Sequence, residues 1–307
     1  MMDQVQKFLT IDKSARIISV DLKDAWDDSL YDKNYPAPLP IYLGQLTCAC
    51  ILLAANIKFE GSVILQIQSD GAVSLAVVEC TSDFKIRSTV KLNDKFPITD
   101  SSTFTELINH NNSGRFSVIL DPKDKTQGQK PYIGVVEILG DSISENLSHY
   151  MKQSEQLDSL LYLAANSERA TGLLIQRLPE SGGHEISSNQ AQETWDTLKA
   201  LASTINSNEM LQINSNQLLD RLFWEQKLLE HPAESVIWYC PCSKYKVGDM
   251  LRMLGQSEIE SILKERNNIE VSCHFCGKIY NFDAVDAAQL FIDSSKSTPQ
   301  ENPKTTH

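Results

Sequence analysis

Positive charge is scarce in this sequence. Its 307 residues carry 28 Lys and Arg against 40 Asp and Glu, a formal net charge of -12. The summed field repels phosphate backbones and anionic lipid, which argues against nucleic acid as a primary partner. An unbroken apolar segment near the start is also missing. MMDQVQKFLTIDKSARI carries Asp3, Asp12 and Lys13 where an export signal needs apolar residues. The most apolar uncharged stretch, residues 41–57, includes Gln45, Thr47 and Asn56. It falls short of the roughly 20 mainly apolar residues of a bilayer span. The expectation is a soluble, cytoplasmic protein with no membrane segment. There is no P-loop, no GxGxxG pattern, no internal repeat and no local set of histidines, and Ser69-Asp70-Gly71 reads as a turn rather than a nucleophile. An enzyme is not expected.

What is present organises the chain into parts. At roughly one domain per 150 residues, two domains are the default. Pro36, Pro38 and Pro40 precede GQLTCACILLAANIKFEG, where Leu46, Cys50, Leu53 and Ile57 recur at helical spacing before Gly61. Then SVILQIQ, VSLAVVEC and FKIRSTVKL, separated by short turn signals, predict an antiparallel meander, continued by RFSVILD and YIGVVEIL around a polar loop, PKDKTQGQK. Ser142 with Glu145 forms a capping-box pattern for a helix to about residue 154, and residues 160–165 and 172–178 read as two further strands. ESGGHEIS, residues 180–187, is a boundary signal. Residues 188–235 read as short helices with little apolar surface per turn outside Leu218, Leu219, Leu222, Phe223 and Leu228, so they depend on docking for stability.

The predicted fold class is α+β. An N-terminal, mainly antiparallel sheet with helices occupies residues 1–180, a metastable helical linker 181–235, a small four-cysteine zinc domain 236–291 and a disordered tail 292–307.

Seven cysteines in a cytosolic chain stay reduced, so clustered ones point to metal binding or redox chemistry. Cys240-Pro-Cys242 and Cys273-His-Phe-Cys276 bracket a 30-residue insert, residues 243–272, and supply the four thiolates of tetrahedral zinc. Gly277 allows a tight turn that aims amides at sulfur. Within the insert Val247, Met250, Leu251 and Leu254 form an apolar stripe, and Ser257 with Glu260 is a second capping pattern ahead of Ile259, Ile262 and Leu263. The small core predicts dependence on metal. Spacing alone favours a permanently structural zinc ribbon, but the short Cys-x-Cys separation also permits oxidation within a pair, which couples to metal release. His274 is an alternative ligand that four thiolates make unnecessary. Cys48, Cys50 and Cys80 read as buried apolar residues, because positions i and i+2 of a helix face different ways.

The motif CPC, the 30-residue insert and CHFCGKIYNFDAVDAAQLF resemble the C-terminal redox switch of the heat shock protein 33 family, redox-regulated holdase chaperones of bacteria. The resemblance extends to LLAANIKFEG followed by VILQIQSDGAVSLAVVE, and to YIGVVEILGDSISENLSHYMKQSEQL. It implies an ATP-independent chaperone, inactive while reduced and holding one zinc on Cys240, Cys242, Cys273 and Cys276. Under oxidative stress the family forms disulfides corresponding to Cys240–Cys242 and Cys273–Cys276, releases zinc, unfolds the linker, binds unfolding client proteins and forms a homodimer. Pro241 between the first pair, and the three thiols outside the switch, depart modestly from the family pattern. Among the residues that clients meet, Leu222, Phe223, Trp224 and Leu228 are candidates, against ordinary packing of an amphipathic helix. The competing reading is a constitutive zinc-ribbon binding protein whose zinc is never released.

Overall fold

The computed structural model describes residues 3–124, 130–154, 156–179 and 188–292. The expected boundary at 180–187, the tip of the loop PKDKTQGQK at 125–129 and the tail from 293 onward lie outside them. The chain divides into two compact units, Met1–Tyr239 and Cys240–His307.

In the first unit the elements run β1 (Gln4–Thr10), β2 (Ala15–Leu22), α1 (Asp24–Leu30), α2 (Pro38–Asn56), β3 (Gly61–Gln68), β4 (Val73–Thr81) and β5 (Lys85–Leu92). They continue through α3 (Phe104–Ile108), β6 (Arg115–Pro122), β7 (Tyr132–Glu137), α4 (Ile143–Ser154), β8 (Ser159–Ala165) and β9 (Ala170–Arg177). The last are α5 (Ser188–Ala202), α6 (Ser207–Gln212), α7 (Ser215–Phe223), β10 (Leu228–Glu230), β11 (Glu234–Ser235) and β12 (Ile237–Trp238). One sheet has the order β10-β1-β2-β9-β8, with β11 also on β1, and the other β12-β5-β4-β3-β6-β7. All pairings are antiparallel except that of β12 with β5. The α+β class is as expected.

Helix α2 is the centre of this unit. It is apolar on every side because it contacts β2, β8 and β9 of one sheet and β3, β4 and β5 of the other. Its 19 residues are long and apolar enough to cross a membrane by composition, yet most of the helix is buried inside the fold. Gly44 makes the close approach possible, since a Cβ there would lie 2.5 Å from that of Ala165. The two ends of Cys48-Ala-Cys50 indeed face different ways. The Cβ of Cys48 adjoins Gly172 in β9, while the Cys50 thiol donates to the Val63 carbonyl of β3 at 3.3 Å.

The sheet formed by β10-β1-β2-β9-β8 is covered on both faces. Ile18, Val20 and Leu174 point to the α2 core, whereas Phe8, Ile17, Leu173 and Ile175 point to a second cluster completed by Trp195, Leu198, Met210, Leu218, Leu222 and Phe223 of α5–α7. Burial of both faces explains why β2 and β9 are buried at almost every position, including polar Ser19 and Asp21 of β2. Strand β2, together with β1, was not expected from the sequence. Nor was β10. The pattern NQLLDRLFWEQKLLE suggests one continuous helix, but α7 ends at Phe223 and Leu228–Glu230 pairs with β1 instead.

At the predicted capping box of α4, Ser142 accepts from the Glu145 amide at 3.2 Å, but the Glu145 carboxylate takes the Asp141 amide rather than that of Ser142. Ser69 forms the expected turn, accepting from the Gly71 amide and donating to the Val73 carbonyl.

The second unit contains α8 (Lys244–Leu254), α9 (Gln256–Arg266), β13 (Ile269–Ser272), β14 (Ile279–Phe282) and α10 (Ala284–Ile292). Its core is small: Leu251, Ile259, Ile269, Tyr280, Phe282 and Ala287. Two local expectations fail here. Met250 and Leu254 of the predicted stripe are exposed, because only the Leu251 side of α8 meets this core. The Ser257 and Glu260 box does not form, because α9 starts one residue after Gly255 and Glu260 accepts from the Gln256 side chain.

Candidate metal centre

Two short turns bring the cysteines together. Cys240 and Cys242 lie just ahead of α8, whose first turn is capped by Ser243 accepting from the Lys246 amide. Cys273 and Cys276 occupy the turn of the β13–β14 ribbon. That turn closes through the Gly277 amide donating to the Cys273 carbonyl at 2.8 Å and the Cys273 amide donating to the Lys278 carbonyl at 2.9 Å. Gly277 sits at φ +72°, in the left-handed region that favours glycine. Both turns aim an amide at sulfur, Cys242 N–H toward Cys240 and Lys278 N–H toward Cys276.

The four Sγ atoms lie within 4.8 Å of one another, with Cys240 to Cys273 at 3.7 Å and Cys242 to Cys276 at 3.3 Å. A tetrahedral site with metal–sulfur bonds near 2.3 Å has sulfur–sulfur edges of about 3.8 Å. The cluster therefore fits a single metal ion. All four cysteines are free thiols in this structure. Among the described residues, the ligand atoms that converge are these four sulfurs and not the His274 ring.

One functional contact was not foreseen from the sequence. The Tyr280 hydroxyl, on β14, donates to Cys242 Sγ at 3.0 Å. The alternation in IYNF, which turns Tyr280 and Phe282 inward, is the signal that pointed to it. At Cys242 burial opposes ionisation, but this hydrogen bond and those with Cys276, Cys240 and Cys273 outweigh it and bring the thiol from 9.0 down to about 7. Cys276 is driven the other way: burial and the neighbouring thiols outweigh the Lys278 amide and push it up to about 12. Burial is also the main cause of the raised value at Cys240. The unequal thiols are what one shared site produces, because a first thiolate gathers the available hydrogen bonds and disfavours a second.

The other three cysteines are elsewhere, fully buried in the α2 core, where desolvation holds each thiol well above its ordinary value. Leu222 and Phe223 are buried against the sheet, Leu228 is half-buried, and Trp224 is 77% exposed.

The family described as Hsp33 protein matches residues 3–283. Over 290 residues the chain is 39% identical to the 33 kDa chaperonin of Chromobacterium violaceum and 37% identical to that of Methylobacillus flagellatus, each match covering 94% of both chains. A solved structure, the 33 kDa chaperonin (heat shock protein 33 homolog) of Thermotoga maritima, shares the fold with a TM-score of 0.78 at 18% identity, over 97% of this chain and 100% of that one. A family match over nearly the whole chain, together with relatives above one-third identity along their full length, carries the assignment: this chain belongs to the Hsp33 family of 33 kDa chaperonins.

Proposed function

We propose that this protein is a redox-regulated, ATP-independent holdase that captures unfolding proteins under oxidative stress. The observation that carries the reading is the cluster of four free thiols at metal-binding separations, all within 4.8 Å of one another. In the reduced state Cys240, Cys242, Cys273 and Cys276 would hold one zinc ion, which adds to the stability of a unit whose apolar core is small. Zinc supplies structural cross-linking there.

Oxidation by a peroxide takes two electrons from each cysteine pair and forms one S–S bond, while the peroxide oxygens leave as water. Pairing Cys240 with Cys242 and Cys273 with Cys276 consumes all four thiolates and leaves no donor that would hold zinc. Cys240 follows β12 with only Tyr239 between them, so loss of the site acts first on β12 and then, through β11 and β10, on the chain that leads back to α5–α7.

Those helices cover an apolar row that crosses four strands, Phe8, Ile17, Ile175 and Leu160. Their departure supplies the surface for clients, and the freed helices present Leu218, Leu222 and Phe223 in addition. In this division of labour residues 1–180 form the chaperone core, 181–235 the metastable linker and 236–291 the redox switch. The protein acts in the cytoplasm, without enzymatic turnover or nucleic acid, and pairs into a homodimer when oxidised.

The test treats reduced, zinc-loaded protein with hydrogen peroxide under mild heat, following zinc with a chromogenic chelator and the aggregation of a thermally unfolding client. Zinc release together with new suppression of aggregation is expected. Release without activity, or activity indifferent to oxidation, returns the site to a permanently structural ribbon.

A further inference from the structure

Polar ties connect α5–α7 to the sheet they cover, and they differ in burial. Thr194 donates to Asp12 at 2.8 Å and Arg177 to Gln192 at 2.8 Å, both toward the solvent side of α5. The third tie is internal. Asp21, near the end of β2, and Arg169, in the turn between β8 and β9, have side chains only 6% and 13% exposed. Arg169 Nε donates to Asp21 Oδ1 at 3.1 Å, and its Nη2 donates to the same oxygen.

What the pair does with its remaining atoms is informative. Arg169 Nη1 donates to the Leu211 carbonyl at 3.1 Å, and Asp21 Oδ2 accepts from the Ser215 amide at 2.6 Å. Leu211 lies in the last turn of α6 and Ser215 is the first residue of α7, positions whose backbone groups have no partner within their own helices. One ion pair on the sheet thus satisfies the end of one helix and the start of the next.

We propose that the Asp21–Arg169 pair is a latch that holds the α6–α7 junction on the sheet and sets how readily these helices leave it. This rests on the holdase reading above, in which undocking of the helices is the activating event. Apolar packing supplies most of the adhesion, but it is tolerant of sliding. The latch is directional: charged hydrogen bonds are satisfied at one position of the junction and lost together when it moves. Once the helices have left, water rehydrates both charges, so the open state carries no buried unpaired ion. Glu209 and Arg221 provide the internal control, an ion pair between the same two helices whose arginine is 70% exposed.

The experiment uses the full chain, reduced and zinc-loaded, and compares Ser215→Pro, Asp21→Asn and Arg221→Ala by hydrogen exchange with mass spectrometry. Ser215→Pro deletes the amide that meets Asp21, together with the Ser215 hydroxyl, and leaves the Asp21–Arg169 pair in place. Proline is at home at the first position of a helix, and Asn214 already has the extended backbone, φ -75° and ψ 161°, that precedes proline. Exchange in α6 and α7 is expected to quicken by about tenfold or more in Ser215→Pro and Asp21→Asn, the loss expected for a hydrogen bond to a charged group. Exchange in β3–β6 and the zinc content stay unchanged, and Arg221→Ala behaves as the parent protein. Unaltered exchange of α6 and α7 in Ser215→Pro overturns the latch, whatever Asp21→Asn does to folding. Faster exchange without any gain in capture of a thermally unfolding client by the reduced protein leaves the latch standing and overturns the holdase reading.

Discussion

The Tyr280 hydroxyl and the Cys242 sulfur lie 3.0 Å apart, the phenol donating and the sulfur accepting. The ring of Tyr280 belongs to the small core of the second unit, so one side chain links the packing of that unit to the electron density on one sulfur. Tyr280→Phe keeps the ring and removes the donor. Zinc affinity is expected to fall by about tenfold, the lower end for loss of a partner behind a metal ligand. Competition against a chromogenic chelator measures it, and an unchanged affinity would show that the hydroxyl is incidental.

In zinc-free, reduced protein the thiols of the cluster should not react alike. Cys242 is depressed to about 7, so its contribution to stability is full above its ordinary value of 9.0 and is lost as pH falls through about 7. Cys276 is raised to about 12, so its contribution is full below 9.0 and is lost as pH rises through about 12. Near about pH 8 the thiolate is therefore concentrated on Cys242. Iodoacetamide labelling read by mass spectrometry is expected to modify Cys242 before Cys276; equal rates would rule out the asymmetry.

Cys48, Cys50 and Cys80 are sealed in the α2 core and held as neutral thiols by desolvation. An aromatic disulfide reagent should count four thiols in native zinc-free protein and all seven in guanidinium chloride. A native count above four would mean that the core opens on the timescale of labelling.

Leu218 and Trp224 sit six residues apart and make opposite predictions. Leu218 is 2% exposed in the cluster between α7 and the sheet, and its truncation to Ala should cost about 2–5 kcal/mol of helix docking. In the proposed mechanism this lowers the peroxide needed for activation. Trp224→Ala removes an exposed ring and should leave docking within about 0.5 kcal/mol of the parent. Urea titration followed by hydrogen exchange of α7 separates the two; similar effects from both would refute the assignment of faces.

The elements legible from sequence were those whose pattern is local. Strands β3 to β6 alternate or carry β-branched runs between turn residues, and α2 is an apolar stretch introduced by prolines and followed at Gly61 by the next strand. Those that escaped are defined by distant partners. Strand β2 carries Arg16, Ser19 and Asp21 among its apolar residues, and its burial on both faces, by α2 on one and α5–α7 on the other, is decided by partners distant in the chain. Strand β10 reads as the continuation of a helix until its pairing with β1, more than two hundred residues earlier, is known.

The sequence by itself determined the four-thiol chemistry, since two close cysteine pairs at a set spacing need only short turns, with Gly277 in the left-handed region, to converge. It also determined the α+β class and the family. Tertiary structure alone decided which sheet face α5–α7 cover, that Tyr280 donates to Cys242, and that Asp21 and Arg169 meet the ends of α6 and α7. The physical reason is the same in each case: these contacts join groups 38 to 194 residues apart, and a hydrogen bond or buried face of that range leaves no periodicity in the chain to read.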